Sequence, residues 1–248
     1  MQHLTIKGLI IRETDFGDAD RYITVLTEQG QRIEILCKGV RRRNGRQTAA
    51  VRLFCWSELT LYHSRGRYTL TDAEIVRSFW GVTADIETYT LCCYFVELCC
   101  AETDEVENPA VTRLFLYALR ALAEQKRDKT LVKAAFELRL MAESGFLPDL
   151  SGCGVCGKPV EGTIYFSVKD GVVLDADCLR RLGSKDAIPL PQGTYAAMAH
   201  IITSGMPCVF SFALGGESLR QLAVVCEKYA LYYAERDFHT LDFYHSLF

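Results

Sequence analysis

With 248 residues and 49% hydrophobic composition, the chain is long enough to bury substantial cores in one to three domains. No apolar run approaches the roughly 18 to 20 residues of a transmembrane helix. The start, MQHLTIKGLIIRETD, has no signal peptide's cationic flank, long apolar block or cleavage site, so a soluble cytoplasmic protein is expected. The formal net charge is −3, but it is uneven: residues 1–80 carry 13 Lys and Arg against 9 Asp and Glu, leaving 15 against 22 for residues 81–248. A positive excess confined to the first part points to a polyanion surface there. The 11 cysteines are odd in number and include the neighbours Cys92-Cys93 and Cys99-Cys100, so they read as reduced thiols rather than a disulfide framework.

In chain order, HLTIKGLIIRE, RYITVLTE, QRIEILCKG, SELTLYHS and RYTLTDAEIVR mix β-branched, aromatic and polar residues in partial alternation, with turn signals such as FGDAD, EQGQ and SRGR between them. Five short strands in so little sequence predict a small closed barrel of the OB-fold type over residues 1–80. Asp15, Asp18 and Asp20 cluster before the second strand. A metal site is conceivable there, and an Asp- and Gly-rich turn is the ordinary explanation.

KGVRRRNGRQ follows the third strand. Lys38, Arg41, Arg42, Arg43 and Arg46 therefore sit on a loop at one end of the sheet. Arg12, Arg21, Arg52, Arg65 and Arg67 lie on or between the neighbouring strands. An OB-fold groove that tracks phosphates with Arg and Lys while bases stack on aromatic rings is one reading; a solvated charged loop is the other. Among the rings, Phe54 and Tyr62 read as barrel core. Trp56, beside Ser57, stays open between core and stacking platform, and it joins the DNA-binding candidates.

From about residue 83 the period changes. Residues 83–103, 108–126 and 129–144 space apolar residues three and four apart and are rich in Ala, Leu and Glu, which predicts helices. Asn108-Pro109 suits the start of the second, and Gly145 the end of the third. Helical spacing resumes at 193–204 and 216–235. The α+β chain thus divides into a barrel (1–80) and a helical domain (81–248), the latter interrupted at about 146–190 by turns, glycines and short β segments.

Within that insertion, C-G-V-C-G-K has the spacing and glycines of a zinc knuckle, and YFSVKDGVVLDADC supplies the second half as D-x-x-C. Cys153, Cys156, Asp175 and Cys178 are the candidate zinc ligands; a ribbon that keeps its shape without metal is the competing reading. No nucleophile elbow, Walker loop, dinucleotide fingerprint or paired-carboxylate motif is present, so no catalytic residue is expected.

Taken together, T-I-K-G-L-I-I-R, I-T-V-L-T-E-Q-G, K-G-V-R-R-R and L-T-D-A-E-I in the barrel, the run from Glu137 to Gly157, and L-R-Q-L-A-V-V-C-E-K-Y-A-L-Y-Y near the end resemble the RecO family of recombination mediator proteins over nearly the whole chain. Two departures stand out. A second C-x-x-C is replaced by Asp175 and Cys178, and N-G-R follows Arg43 where the family pattern leads one to expect Lys-Ser. The resemblance implies a non-enzymatic, cytoplasmic and nucleoid-associated protein that binds single- and double-stranded DNA, anneals complementary strands, and joins RecR to load RecA onto DNA coated by single-strand-binding protein. It also implies a pocket for the acidic, apolar tail of single-strand-binding protein; Arg113, Arg120, Lys126, Arg127, Lys129 and Lys133 on adjoining helices could form its basic rim, and ordinary solvated helix faces are the other reading. An adaptor whose barrel binds RNA or a protein is the alternative.

Overall fold

The alternating segments of the first part form β1 (Gln2–Phe16), β2 (Asp20–Thr27), β3 (Arg32–Cys37), β4 (Cys55–Ser64) and β5 (Arg67–Ser78). The computed structural model describes residues 2–42, 46–102, 107–125, 127–183 and 186–247, with Gln2 and Arg46 described by backbone alone. The strands close into a barrel in the order β1-β2-β3-β5-β4. β1 serves two neighbours, pairing with β4 over residues 2–9 and with β2 over residues 8–16. The seam is a parallel pairing of β3 with β5, Ile35 opposite Tyr68 and Leu36 opposite Thr69, while the other ladders are antiparallel. This is the expected OB-fold arrangement, and closure removes the exposed strand edges. Ile10, Ile23, Val25, Ile35, Leu59 and Leu61 fill the interior.

A short helix, α1 (Arg46–Ala50), lies between β3 and β4 and is tied to β4 where Ser57 Oγ donates to the Ala50 carbonyl at 2.7 Å. The first two expected helices are α2 (Ile86–Glu102) and α3 (Pro109–Ala123). The Asn108 side chain accepts the Ala110 N–H at 3.1 Å, so Asn-Pro starts α3 as the sequence suggests. Both helices belong with the barrel. Thr112 Oγ1 donates to the Thr27 carbonyl at 2.8 Å, and buried Phe54 meets Tyr89 and Phe115 edge-on. Gly30 has φ +85°, and a Cβ there would lie 2.2 Å from the Asn108 carbonyl oxygen, so the β2–β3 turn needs glycine to reach the start of α3. Residues 1–123 form one compact unit and residues 124–248 another.

In the second unit, α4 (Lys129–Glu143), capped by Asp128, packs with α6 (Gln192–Thr203) and α7 (Gly216–Ala234). Between α4 and α6 the chain builds a sheet in the order β6-β8-β7-β9 from β6 (Asp149–Cys153), β7 (Ile164–Ser167), β8 (Val172–Asp175) and β9 (Ile188–Leu190), with α5 (Ala176–Leu182) after β8. This is the ribbon-like insertion. Tyr229 and Tyr233 of α7 donate to the Phe146 and Lys169 carbonyls at 3.0 and 3.1 Å, fastening the insertion to the helices. A last helix, α8, covers His239–His245. All eleven cysteines are free, and burial pushes the thiols of Cys92 and Cys99 well up. Among the described residues, no helix is long and apolar enough to cross a membrane.

The expected basic rim loses Lys133. It is only 3% exposed because α4 packs inward on most of its faces, and the helical pattern alone does not distinguish such a helix from one with a wet face. Its Nζ donates to Glu137 Oε1 and to Glu227 Oε2 of α7, each at 2.6 Å. Burial disfavours the ammonium, but the two carboxylates outweigh it and hold the pKa above the usual lysine value. Removing one partner of a buried ion pair strands the other, so Lys133→Ala should cost about 3–5 kcal/mol in urea unfolding. Adding Glu137→Gln should recover part of that loss, since the uncompensated charge is the expensive element.

Candidate nucleic-acid interface and metal cluster

Where β3 ends, the chain alternates outward and inward. Lys38, Arg41 and Arg42 are exposed, while Val40 is 4% exposed and enters the barrel core. The loop is fastened to the β1–β2 turn. Gly39 N–H donates to Asp20 Oδ1 at 2.7 Å, Arg41 N–H to the Ala19 carbonyl at 2.9 Å, and Arg41 Nη1 to the Gly17 carbonyl at 3.2 Å. Thr48 Oγ1 of α1 holds the Val40 carbonyl at 3.1 Å from the other side. The Asp-rich turn, which by sequence reads as an ordinary Asp- and Gly-rich turn or a metal site, is thus the anchor of the basic loop.

Carboxylates on β1 also orient the neighbouring arginines. Arg21 has a side chain only 15% exposed and sits between Glu13 Oε2 at 2.6 Å and Asp15 Oδ1 at 2.8 Å. Asp15 Oδ2 lies 3.4 Å from Arg41 Nε, and Glu13 Oε2 lies 3.8 Å from Arg52 Nε. Arg21 is therefore internal to the ion-pair chain, while Arg41 and Arg52 face outward at its ends.

The other candidates are less closely gathered. Arg12 is exposed on β1, on the opposite side of the strand from Glu13. Arg65 and Arg67 are exposed at the β4–β5 turn, where Arg65 takes a left-handed φ of +50°. The parallel register sets Lys38 beyond the Leu36–Thr69 pair and Arg67 before the Ile35–Tyr68 pair, so they leave the seam in opposite directions. Trp56 is half-buried on β4, opposite Leu9 and Arg77. Arg43, the Arg46 side chain and Lys126 lie outside the described residues. Arg113, Arg120 and Arg127 are exposed and Lys129 is partly so. An aromatic that sequence reasoning passed over, Trp80, is 52% exposed just after β5.

In the second unit, the parallel register of β6 with β8 sets Cys153 opposite Val173, and Gly154 N–H donates to the Val173 carbonyl at 2.9 Å. Gly157 N–H closes the knuckle onto the Cys153 carbonyl at 2.8 Å. Asp175 ends β8 and caps α5, which carries Cys178. The ligand atoms of Cys153, Cys156, Asp175 and Cys178 all lie within 4.8 Å of one another.

Asp175 divides its oxygens. Oδ1 accepts the Cys178 N–H at 2.7 Å, and Oδ2 accepts from Cys156 Sγ at 3.3 Å. The Cys178 N–H, followed by the surrounding thiols, holds the Asp175 carboxyl far below its usual range. Burial, then the neighbouring carboxylate, pushes the Cys178 thiol up to about 12, although Arg181 Nη2 donates to its sulfur at 2.8 Å. Burial also works to raise Cys153, but N–H groups of Asp175, Cys156 and Val155 aimed at its sulfur prevail and lower it. Three sulfurs and one carboxylate oxygen converging in this way suit a tetrahedral divalent ion of zinc's softness, and knuckle N–H groups aimed at sulfur are the usual support of such a site. The residues therefore fit zinc.

Residues 1–79 match the family model for the N-terminal part of recombination protein O, and residues 83–242 that for its C-terminal part. Similar proteins include the DNA repair protein RecO of Acetivibrio thermocellus, 30% identical over 100% of this chain and 98% of that one. That of Symbiobacterium thermophilum is 29% identical over 98% and 96% of the two chains, and that of Desulforamulus reducens 26% over 100% and 96%.

The anchoring of the basic loop is open to a simple check. Asp20→Ala removes the acceptor for Gly39 N–H, and tryptic cleavage after Arg41 and Arg42 should accelerate several-fold while the thermal midpoint changes little. Unchanged cleavage kinetics would show that Asp20 does not hold the loop.

Proposed function

Because the chain belongs to the RecO family of DNA repair proteins, we propose that it is a recombination mediator whose barrel binds single- and double-stranded DNA and anneals complementary strands. In this reading it acts with RecR to help load RecA onto DNA coated by single-strand-binding protein. The observation that supports it best is the basic loop, fixed by Val40 inside and by Asp15, Gly17, Ala19 and Asp20 beside it. A loop ordered in advance loses less entropy when it grips phosphates. Phosphate contacts leave base edges free, which is what pairing of two strands requires. RecO proteins are repair mediators, and the reading needs no catalytic group.

The second unit is proposed to meet protein partners, RecR and the acidic, apolar tail of single-strand-binding protein. Such a tail needs an apolar seat with a cation at its edge. An open cavity of about 680 Å³ offers Ile188, Leu231 and Tyr232 beside Lys228, with Asp186 also in its wall. We propose further that Cys153, Cys156, Asp175 and Cys178 hold one zinc ion. Bound there, it would supply a structural cross-link between the knuckle and the start of α5.

If Lys38, Arg41, Arg42 and Arg43 each meet a phosphate, the log affinity for single-stranded DNA should fall with log salt at a slope of about −3. Replacing the three arginines by Ala should flatten it to about −1; an unaltered slope removes the loop from the reading. The decisive assay is annealing of complementary strands coated with the cognate single-strand-binding protein, and failure at low salt would overturn the proposal. For the metal, protein purified without chelator should carry about one equivalent of zinc. Asp175→Asn keeps the capping oxygen but not the charge, and should lose most of it. Less than about a tenth of an equivalent in the unmodified chain would rule zinc out.

A further inference from the structure

The barrel unit has a second feature that the basic loop does not use. Beyond β5 the chain makes a single 3-10 turn (Trp80–Thr83). Between this turn, α1 and the start of α2 opens a cleft of about 640 Å³ whose wall includes Glu13, Thr48, Arg52, Trp80 and Tyr89. That volume lies within the range of sites that hold small organic groups.

Trp80 is exposed yet held. Its backbone N–H donates to Ser78 Oγ at 3.3 Å and its carbonyl accepts from Thr83 Oγ1 at 2.8 Å. A large ring carried on a hydrogen-bonded turn with half its surface in water is suited to stacking against a flat partner. Arg52, with 56% of its side chain exposed, stands in the same cleft and is steered by Glu13.

The cleft is also wired to the loop. Arg41, Asp15, Arg21, Glu13 and Arg52 form one chain of ion pairs with links of 3.4, 2.8, 2.6 and 3.8 Å. Its two carboxylates are two residues apart on one face of β1, a separation of about 7 Å. A strand whose phosphates lie on the loop can therefore reach the cleft within a few nucleotides.

From this arrangement we infer that the cleft receives one unpaired nucleobase of a bound single strand, stacked on the Trp80 indole, with an adjoining phosphate on Arg52. The inference rests on the DNA-binding reading above and specifies a contact that a duplex does not offer, because its base faces are already stacked.

The chain has two tryptophans, so the emission of the full protein minus that of Trp80→Phe isolates Trp80. Titration with an oligothymidylate should quench this difference signal. An abasic strand of equal length, which keeps every phosphate, should leave it nearly unchanged, and so should a duplex. Trp80→Ala should weaken single-strand binding about tenfold, the effect of one stacked base, with the salt slope retained and Trp80→Phe restoring most of the affinity. A melting curve for Trp80→Ala confirms that the variant is folded. Normal binding and salt slope with an unquenched Trp80 and equal affinity for the abasic strand would overturn the inference and leave the DNA-binding reading intact. An indole that ignores every strand but responds to RecR would overturn it in favour of a protein seat. Absence of binding to any strand at low salt would instead remove the DNA-binding reading, and the inference with it.

Discussion

The barrel closes through one short parallel pairing, Ile35 with Tyr68 and Leu36 with Thr69, and the geometry of the whole first unit follows from it. A parallel join between β3 and β5 cannot be made by a hairpin. The chain must leave β3, cross, and return along β4 before β5 can lie beside it. That crossing carries Lys38–Arg42, α1 and Arg52. The basic loop, the helix beside it and one wall of the Trp80 cleft are therefore products of a topological requirement, and their residues were free to be chosen for something other than sheet pairing.

Acidic residues organise this positive surface. Glu13, Asp15 and Asp20 subtract charge from it, yet each fixes a cation or a loop N–H in a defined direction. Exposed ion pairs contribute little to stability. Under the DNA-binding proposal their importance is orientation, since an arginine already directed outward loses less freedom when a phosphate arrives. The same device is turned inward in the second unit, where Lys133 is enclosed by Glu137 and Glu227.

Much of the fold was legible in the sequence because both of its periods were clear. The five strands and the long helices appear where alternation and three-four spacing put them, since those patterns report directly which face is buried. The short helices α1, α5 and α8 were not legible, being too brief for a period to declare itself. At the site, the four metal-ligand candidates were readable from spacing alone, and the structure brings their ligand atoms together. Other roles depended on neighbours remote in sequence. Val40 looks like one more loop residue until the barrel closes over it, Asp20 acquires its role only when β3 ends beside it, and Lys133 looks solvated until α7 packs on α4. Trp80 was missed because an aromatic at a strand end resembles a core residue; only the packed structure shows its open face.

Asp175 carries a consequence for how the ribbon holds its shape. Cysteine is not among the good helix-capping residues, whereas aspartate is among the best. With a cysteine at this position the first turn of α5 would be organised chiefly through the ion. With aspartate, one oxygen secures that turn through Cys178 N–H while the other faces the sulfurs. The D-x-x-C half-site thus holds the first turn of α5 through its own side chain.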